Sequence, residues 1–236
     1  MKRTSIILTL AVLVAGTGMA AEFSANPNSA GQSASFPELA PGPNSITQST
    51  DPVTITAGNS VSCNSGSHTD NSYMRRFILD IDHGIVNQFD VTSVDVGIET
   101  AASSTGAGQP IEIRLYSILK ADTLLFANIT QVGVLATTLA DTSATIENFV
   151  VTGSIVDPTT HDLVVEVFTP NGQATGEIIF IGSNAAGQLH PSYLAAADCG
   201  VPEPTDITAI GYPNMHIVMT VNGTEFPVEL MSLSIE

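Results

Sequence analysis

Apolar and polar residues alternate along much of the chain with a period of two. In residues 76–82, Phe77, Leu79 and Ile81 fall on one face, and two aspartates fall on the other. This period is typical of a β-strand that packs one face against a core and turns the other to water. The same alternation predicts that the following residues point inward in two further strands: Val94, Val96, Ile98, Ile111, Ile113 and Leu115.

Strand-like segments continue to about residue 221, and Gly, Pro and Asn, which favour turns, separate them. Residues 178–181 are apolar throughout, which predicts a central strand covered on both faces. No long segment has the helical period, so alternating strands and helices are not expected. The pattern fits a sandwich or a barrel. Of these we predict an all-β, jelly-roll-like antiparallel β-sandwich of about ten strands.

The N-terminal residues have the order of a secretory signal. Lys2 and Arg3 precede an apolar run over residues 5–15, and small residues then lead to a cleavage site near Ala20. The run is much shorter than the roughly 20 residues of a membrane-spanning helix, although a membrane anchor or a buried helix is the alternative. We expect a signal peptide over residues 1–20 and export to the extracellular space, cell surface or periplasm. We expect no membrane span in the mature chain.

The next segment differs from the rest of the chain in composition. Residues 21–52 are rich in Asn, Pro and Ser and show no periodicity, so we predict a flexible leader there. The remaining residues, 53–236, fit one β-sandwich domain rather than two.

The chain is strongly acidic, because six Lys and Arg residues oppose 23 Asp and Glu residues and the net charge is −17. Beyond the predicted signal peptide the only basic residues are Arg75, Arg76, Arg114 and Lys120. Nucleic acids and anionic membrane surfaces are bound by clustered Lys and Arg, so neither is an expected partner.

Two cysteines, Cys63 and Cys199, are present. An even number of cysteines in an exported chain indicates a disulfide more often than a catalytic thiol, so we predict that these two residues pair.

Four aspartates lie close together in the sequence: Asp70, Asp80, Asp82 and Asp90. Carboxylate oxygens of this kind suit calcium, and these residues are the candidate ligands for a calcium ion. No other cofactor is predicted. Because Asp80 and Asp82 alternate with apolar residues, the alternative is that they form the solvated face of a strand.

Motifs of several enzyme classes are missing from the sequence. It contains no nucleophile elbow, no phosphate-binding loop and no dinucleotide fingerprint, and its five histidines form no zinc-binding pattern. A sugar-binding surface would need exposed aromatic rings. Tyr116 and Tyr212 are the candidates, and Tyr116 shares the outward face of its predicted strand with Glu112 and Arg114.

Four stretches in the second half of the chain carry a resemblance: VEVFTPNG (165–172), FIGSNAAGQ (180–188), PSYLAAADCG (191–200) and GYPNMH (211–216). Together with Cys63 and residues 70–73, they resemble an uncharacterised β-sandwich domain of exported bacterial surface proteins, over about residues 53–223. The resemblance implies export, a surface or extracellular setting and pairing of Cys63 with Cys199. It implies no catalytic residues.

These observations favour a non-enzymatic interaction or structural module outside the cytoplasm, with an extracellular glycan or a surface protein as its partner. Two alternatives stay open, because a fold alone does not define a function. One is a carbohydrate-binding domain that uses tyrosines and calcium, and the other is a secreted hydrolase.

Overall fold

A computed structural model of the chain describes residues 20–26, 33–35 and 44–226. In these residues the strands are β1 (Glu22–Ala25), β2 (Ala34–Ser35), β3 (Asn44–Thr47), β4 (Thr54–Ile55), β5 (Val61–Asn64), β6 (Asn71–Phe77), β7 (Phe89–Ala102), β8 (Gln109–Leu119), β9 (Ile129–Leu139), β10 (Thr142–Phe149), β11 (Gly153–Ile155), β12 (His161–Thr169), β13 (Ile178–Ile181), β14 (Ser183–Asn184), β15 (Ser192–Ala196), β16 (Val201–Asp206), β17 (His216–Ile217) and β18 (Met219–Glu225). One α-helix, α1 (Leu79–His83), and two 3-10 helices, Phe126–Asn128 and Ala197–Cys199, accompany them.

Twelve of these strands form two six-stranded antiparallel sheets, and the other six form three two-stranded sheets, β1-β5, β2-β4 and β14-β17. The front sheet has the order β16-β15-β6-β12-β8-β9. The back sheet has the order β10-β7-β18-β3, and β11 and β13 also pair with the long strand β7. The predicted all-β sandwich is confirmed. The strands are more numerous than expected, because adjacent pieces pair with different neighbours: β13 pairs with β7, whereas β14 pairs with β17.

The main core lies between the inner faces of the two sheets. The alternation in the sequence placed these faces correctly, since Val96, Ile98 and Ile113 are all fully buried in one apolar cluster. Burial of each such side chain contributes about 1.5–3 kcal/mol relative to exposure, so the core is the main source of stability.

The outer face of the front sheet carries a second, smaller apolar cluster. Met74, Tyr116 and Val164 pack there against Leu124, which comes from the loop after β8. Tyr116 is only 9% exposed, so the prediction of an exposed ring is wrong. A period-two pattern identifies the outer face of a strand, but it carries no information about a distant loop that covers this face.

Residues 76–82 do not form the single strand that their alternation predicts. Strand β6 ends at Phe77 and α1 follows, closed by Gly84 in the left-handed conformation at φ 68°. Residues two apart on a helix point in nearly opposite directions. Leu79 is therefore fully buried while Ile81 is 79% exposed, although the alternation placed both inward.

Parts of the predicted leader are integrated into the fold. Strand β1 pairs with β5, and β3 pairs with β18 and places Ile46 in the main core. These two strands are therefore structural elements and not a flexible spacer. Residues 1–19 of the predicted signal peptide lie outside the described residues.

Cys63 and Cys199 form a disulfide, as predicted, with their Cα atoms 6.0 Å apart. The bond joins β5 to the 3-10 helix that follows β15. In the part of the chain that the structure describes, no helix has the length and apolar character needed to cross a membrane.

Candidate functional site

A pocket of about 360 Å³ opens at one end of the front sheet. We call it the α1 pocket, and its lining residues are Arg76, Ile78, Ile81, Lys120, Asp162, His190 and Tyr193.

Antiparallel pairing brings these residues together from four separate segments. Strands β6 and β8 finish at this end of the front sheet, whereas β12 and β15 begin there. Arg76 lies opposite Val164 in the register, and Asp162 is two residues before Val164, so Arg76 and Asp162 project from the same outer face. Lys120 follows the last residue of β8, and α1 follows β6 directly.

Arg76 fixes the floor of the α1 pocket. Its Nε donates to Oδ2 of Asp162 at 2.8 Å, and its Nη1 donates to the carbonyl oxygen of Asp122 at 2.7 Å. Its Nη2 donates to the carbonyl oxygens of Leu119 and Lys120 at 3.2 and 3.0 Å. The guanidinium therefore holds both the start of β12 and the loop after β8 in place.

Lys120 connects this floor to α1. Its ammonium group hydrogen-bonds the carboxylate of Asp80 and lies 3.7 Å from Oδ1 of Asp162. Oδ1 of Asp162 is buried without a hydrogen-bond partner, so the nearby ammonium charge is what compensates it. The hydrogen bond from Lys120 lowers the pKa of Asp80, which keeps this carboxylate ionised.

Another hydrogen-bonded pair joins α1 to the segment before β15, where Nε2 of His190 is 2.6 Å from Oδ2 of Asp82. Next to Asp82, the imidazole of His83 packs 6.3 Å from the ring of Phe77. Its Nε2 is buried without a partner, and burial lowers the pKa of His83.

A buried arginine positions the segment that carries His190. Nη1 of Arg75 donates to the carbonyl oxygen of His190 at 3.1 Å and to Oε1 of Gln188 at 2.9 Å. Its Nε donates to the carbonyl oxygen of Ile217 at 3.1 Å. Burial lowers the pKa of Arg75 to about 9. This residue does not line the pocket, and it acts as a support for the pocket wall.

Apolar groups surround this charged floor. Ile81 is 79% exposed, and Leu189, next to His190, is 60% exposed. Ile78 and the half-buried ring of Tyr193 add to the lining, and burial raises the pKa of Tyr193. A fixed polar floor inside an apolar rim is the usual composition of a small-molecule binding site.

Two features of the α1 pocket bear on the alternative of a secreted hydrolase. Its lining contains no Ser, Thr or Cys that could act as a nucleophile beside His190. A general acid of a glycoside hydrolase needs a raised pKa, but the pKa of Asp80 is lowered.

The four aspartates predicted to bind calcium are divided between different places. Asp80 and Asp82 belong to α1 and pair with Lys120 and His190. Asp70 accepts the backbone N–H of Asn171 at 2.7 Å, and Asp90 accepts a hydrogen bond from Gln88 at 2.8 Å. Within residues 20–26, 33–35 and 44–226, no three His, Cys, Asp or Glu side chains form a group that could hold a metal ion.

Neither of the two tyrosines predicted to bind ligand lines the α1 pocket. Tyr116 donates its hydroxyl hydrogen to Oε2 of Glu166 at 2.6 Å beneath the outer cluster. Tyr212 is half-buried and lines a smaller pocket of about 230 Å³ with Asn59 and Asn214.

Sequence reasoning therefore missed most of the α1 pocket. One available signal was the rarity of basic residues: two of the four that follow the predicted signal peptide, Arg76 and Lys120, line this pocket.

Comparison with protein-family models, with curated proteins and with solved structures finds no match to this chain. The resemblance to a domain of exported bacterial surface proteins stays a prediction.

Proposed function

We propose that this chain is an exported, non-enzymatic module that binds a sugar residue of an extracellular glycan in the α1 pocket. The observation that carries the proposal is the composition of this pocket, in which compensated charged groups form a fixed floor inside an apolar rim.

The compensation of charge favours a neutral ligand. Arg76 pairs with Asp162, Lys120 pairs with Asp80, and the remaining pair is His190 with Asp82. The first two pairs are each neutral overall, so neither an anion nor a cation would gain much Coulomb energy from them. A ligand with many hydroxyl groups can donate to the carboxylates and accept from the ammonium and imidazole groups.

The apolar rim fits the other property of a sugar. The C–H faces of a pyranose ring pack against flat or branched apolar surface, and Tyr193, Ile78 and Ile81 offer this surface at the pocket. Because Ile81 is 79% exposed, a ligand that covered it would bury apolar area that is now in contact with water.

The setting outside the cytoplasm is supported by two features. The N-terminal residues have the order of a secretory signal, and the Cys63–Cys199 bond is of a kind that persists in oxidising compartments.

The test is calorimetric titration of the mature protein with a panel of soluble neutral oligosaccharides built from glucose, galactose, mannose and N-acetylglucosamine. At least one oligosaccharide should bind, and Ile81→Ala and His190→Ala should each weaken it by about tenfold. Neither change should lower the melting temperature much, because Ile81 is exposed and the His190 side chain is partly exposed.

Val150→Ala provides a matched control, because Val150 is 69% exposed and lies outside the α1 pocket lining. Tyr212→Ala tests the smaller pocket. If no oligosaccharide bound, or if Tyr212→Ala abolished binding while Ile81→Ala and His190→Ala left it intact, the proposal would be refuted.

A further inference from the structure

The sequence contains two Asn-Gly pairs, Asn171-Gly172 and Asn222-Gly223, and neither pair lines the α1 pocket. An asparagine that precedes glycine can cyclise, because glycine has no side chain to hinder attack of its backbone nitrogen on the side-chain amide carbon. The structure places the two pairs in opposite environments, so it predicts different chemistry at each.

Packing requires a glycine in both pairs. A Cβ at Gly172 would lie 2.7 Å from Cε1 of His68 and 2.7 Å from Cβ of Glu177, and a Cβ at Gly223 would lie 2.4 Å from the ring of Phe89. A larger residue therefore cannot replace either glycine unless its neighbours shift. The fold keeps both Asn-Gly pairs for this reason.

Asn171 lies on the exposed loop between β12 and β13, and its side chain folds over the next peptide group. Its Oδ1 accepts the backbone N–H of Gln173 at 2.9 Å, which is an Asx-turn. The Gly172 nitrogen lies inside this turn, so it is a near neighbour of the amide carbon that it would attack. The hydrogen bond from Gln173 also stabilises the negative charge that forms on Oδ1 during the attack.

Two contacts restrain this reaction. The N–H of Gly172 donates to the carbonyl oxygen of His68 at 3.0 Å, and the N–H of Asn171 donates to Oδ1 of Asp70 at 2.7 Å. The Gly172 nitrogen must lose its proton before it attacks, so the reaction needs this N–H to leave His68. Residues 173–176 are exposed, and exposed loops open locally far more often than core strands do.

Asn222, in contrast, lies within the back sheet. Strand β18 pairs there with β3 on one side and with β7 on the other. Oδ1 of Asn222 accepts the hydroxyl of Ser45, and its Nδ2 donates to Oδ2 of Asp95 at 2.8 Å. The side chain is therefore held across the outer face of the sheet, and its release requires the separation of paired strands.

We infer that Asn171 is a site of spontaneous deamidation and that Asn222 is protected from it. The Gly172 nitrogen loses its proton to hydroxide and forms a bond to Cγ of Asn171. The bond from Cγ to Nδ2 then breaks, and the amide leaves as ammonia after it takes a proton from water. Water opens the resulting cyclic imide to aspartate or isoaspartate.

The product changes the contacts of the loop. Isoaspartate adds a methylene group to the backbone, so the N–H groups of residues 171 and 172 cannot both keep their contacts with Asp70 and His68. Either product also places a new carboxylate close to that of Asp70, and the repulsion between them favours an open loop.

The test is peptide mapping by mass spectrometry of the mature protein during several weeks at neutral and at mildly alkaline pH. The two products should accumulate at residue 171 at least about tenfold faster than at residue 222, and faster at the higher pH, because hydroxide removes the N–H proton. In the modified molecules, hydrogen exchange at the amides of Gly172 and Glu177 should rise by about tenfold or more.

Asn171→Gln is the matched control, because glutamine keeps an amide at this exposed position but would have to close a larger ring. This variant should melt close to the wild type and should form no product at residue 171. The inference fails if residue 171 does not react, if residue 222 reacts as fast, or if the modified loop exchanges like the unmodified one.

Discussion

Loss of the Cys63–Cys199 disulfide should destabilise the fold, chiefly because the unfolded chain gains freedom. The bond closes a loop with a sequence separation of 136 residues. In the chain-entropy relation, a loop of this length gives about 5 kcal/mol at 25 °C, which is an upper value. Since domains are usually stable by about 5–15 kcal/mol, the bond provides a large part of the total.

The perturbation is the double variant Cys63→Ala/Cys199→Ala. Alanine leaves no free thiol and no buried hydroxyl at Cys63, which is fully buried. We expect a loss of about 3–5 kcal/mol in the free energy of unfolding, because part of the entropic gain is offset by residual structure in the unfolded chain.

Urea unfolding of the variant and of the wild type, each with and without reductant, measures this loss. Reduced wild type should unfold at nearly the same urea concentration as the double variant, and reductant should not change the variant. The slope of free energy against urea should rise without the cross-link, since a freer unfolded chain exposes more surface. A loss below about 1 kcal/mol would refute the reasoning.

Three further predictions concern single side chains and are checked by chemical or thermal unfolding. Tyr116→Phe should cost about 1–3 kcal/mol, because it removes the hydroxyl donor to the buried carboxylate of Glu166, and a neutral result would contradict this. Gly182→Ala should destabilise by about 1–3 kcal/mol or more, because its Cβ would lie 2.6 Å from the backbone of β7. Asp80 has a lowered pKa, so its pair with Lys120 stabilises the fold above the ordinary pKa of 3.8, and this contribution is lost as pH falls through the lowered value. Asp80→Asn should therefore reduce stability at neutral pH and flatten the acid dependence of unfolding, whereas an unchanged acid profile would contradict the pairing.

The strands could be predicted from the sequence where apolar and polar residues alternate over several consecutive positions. Val94, Ile111 and their neighbours alternate with polar residues over several positions, and burial of one face leaves a single register that keeps them inside. The disulfide followed from the even number of cysteines together with the expected export of the chain.

The remaining features depend on contacts between distant segments. The short alternation around Ile81 is compatible with a strand and with one helical turn. The structure has a helix there, which ends at Gly84 in the left-handed conformation. Tyr116 was misplaced because Leu124, from a loop, covers its strand. The leader was misread because β3 has a short polar sequence whose pairing with β18 joins residues more than 170 positions apart.

The α1 pocket could not be predicted for the same reason. Arg76, Asp162 and His190 have no common motif, and only the order of β6, β12 and β15 in the front sheet brings them together.

The most direct measurement of the central claim is a backbone amide NMR titration of the mature protein with the oligosaccharide that binds it most tightly. The account predicts saturable shifts concentrated at Ile78, Ile81, Lys120, His190 and Tyr193 around the α1 pocket. Saturable shifts centred instead on Asn59, Tyr212 and Asn214, with those around the α1 pocket unchanged, would contradict it.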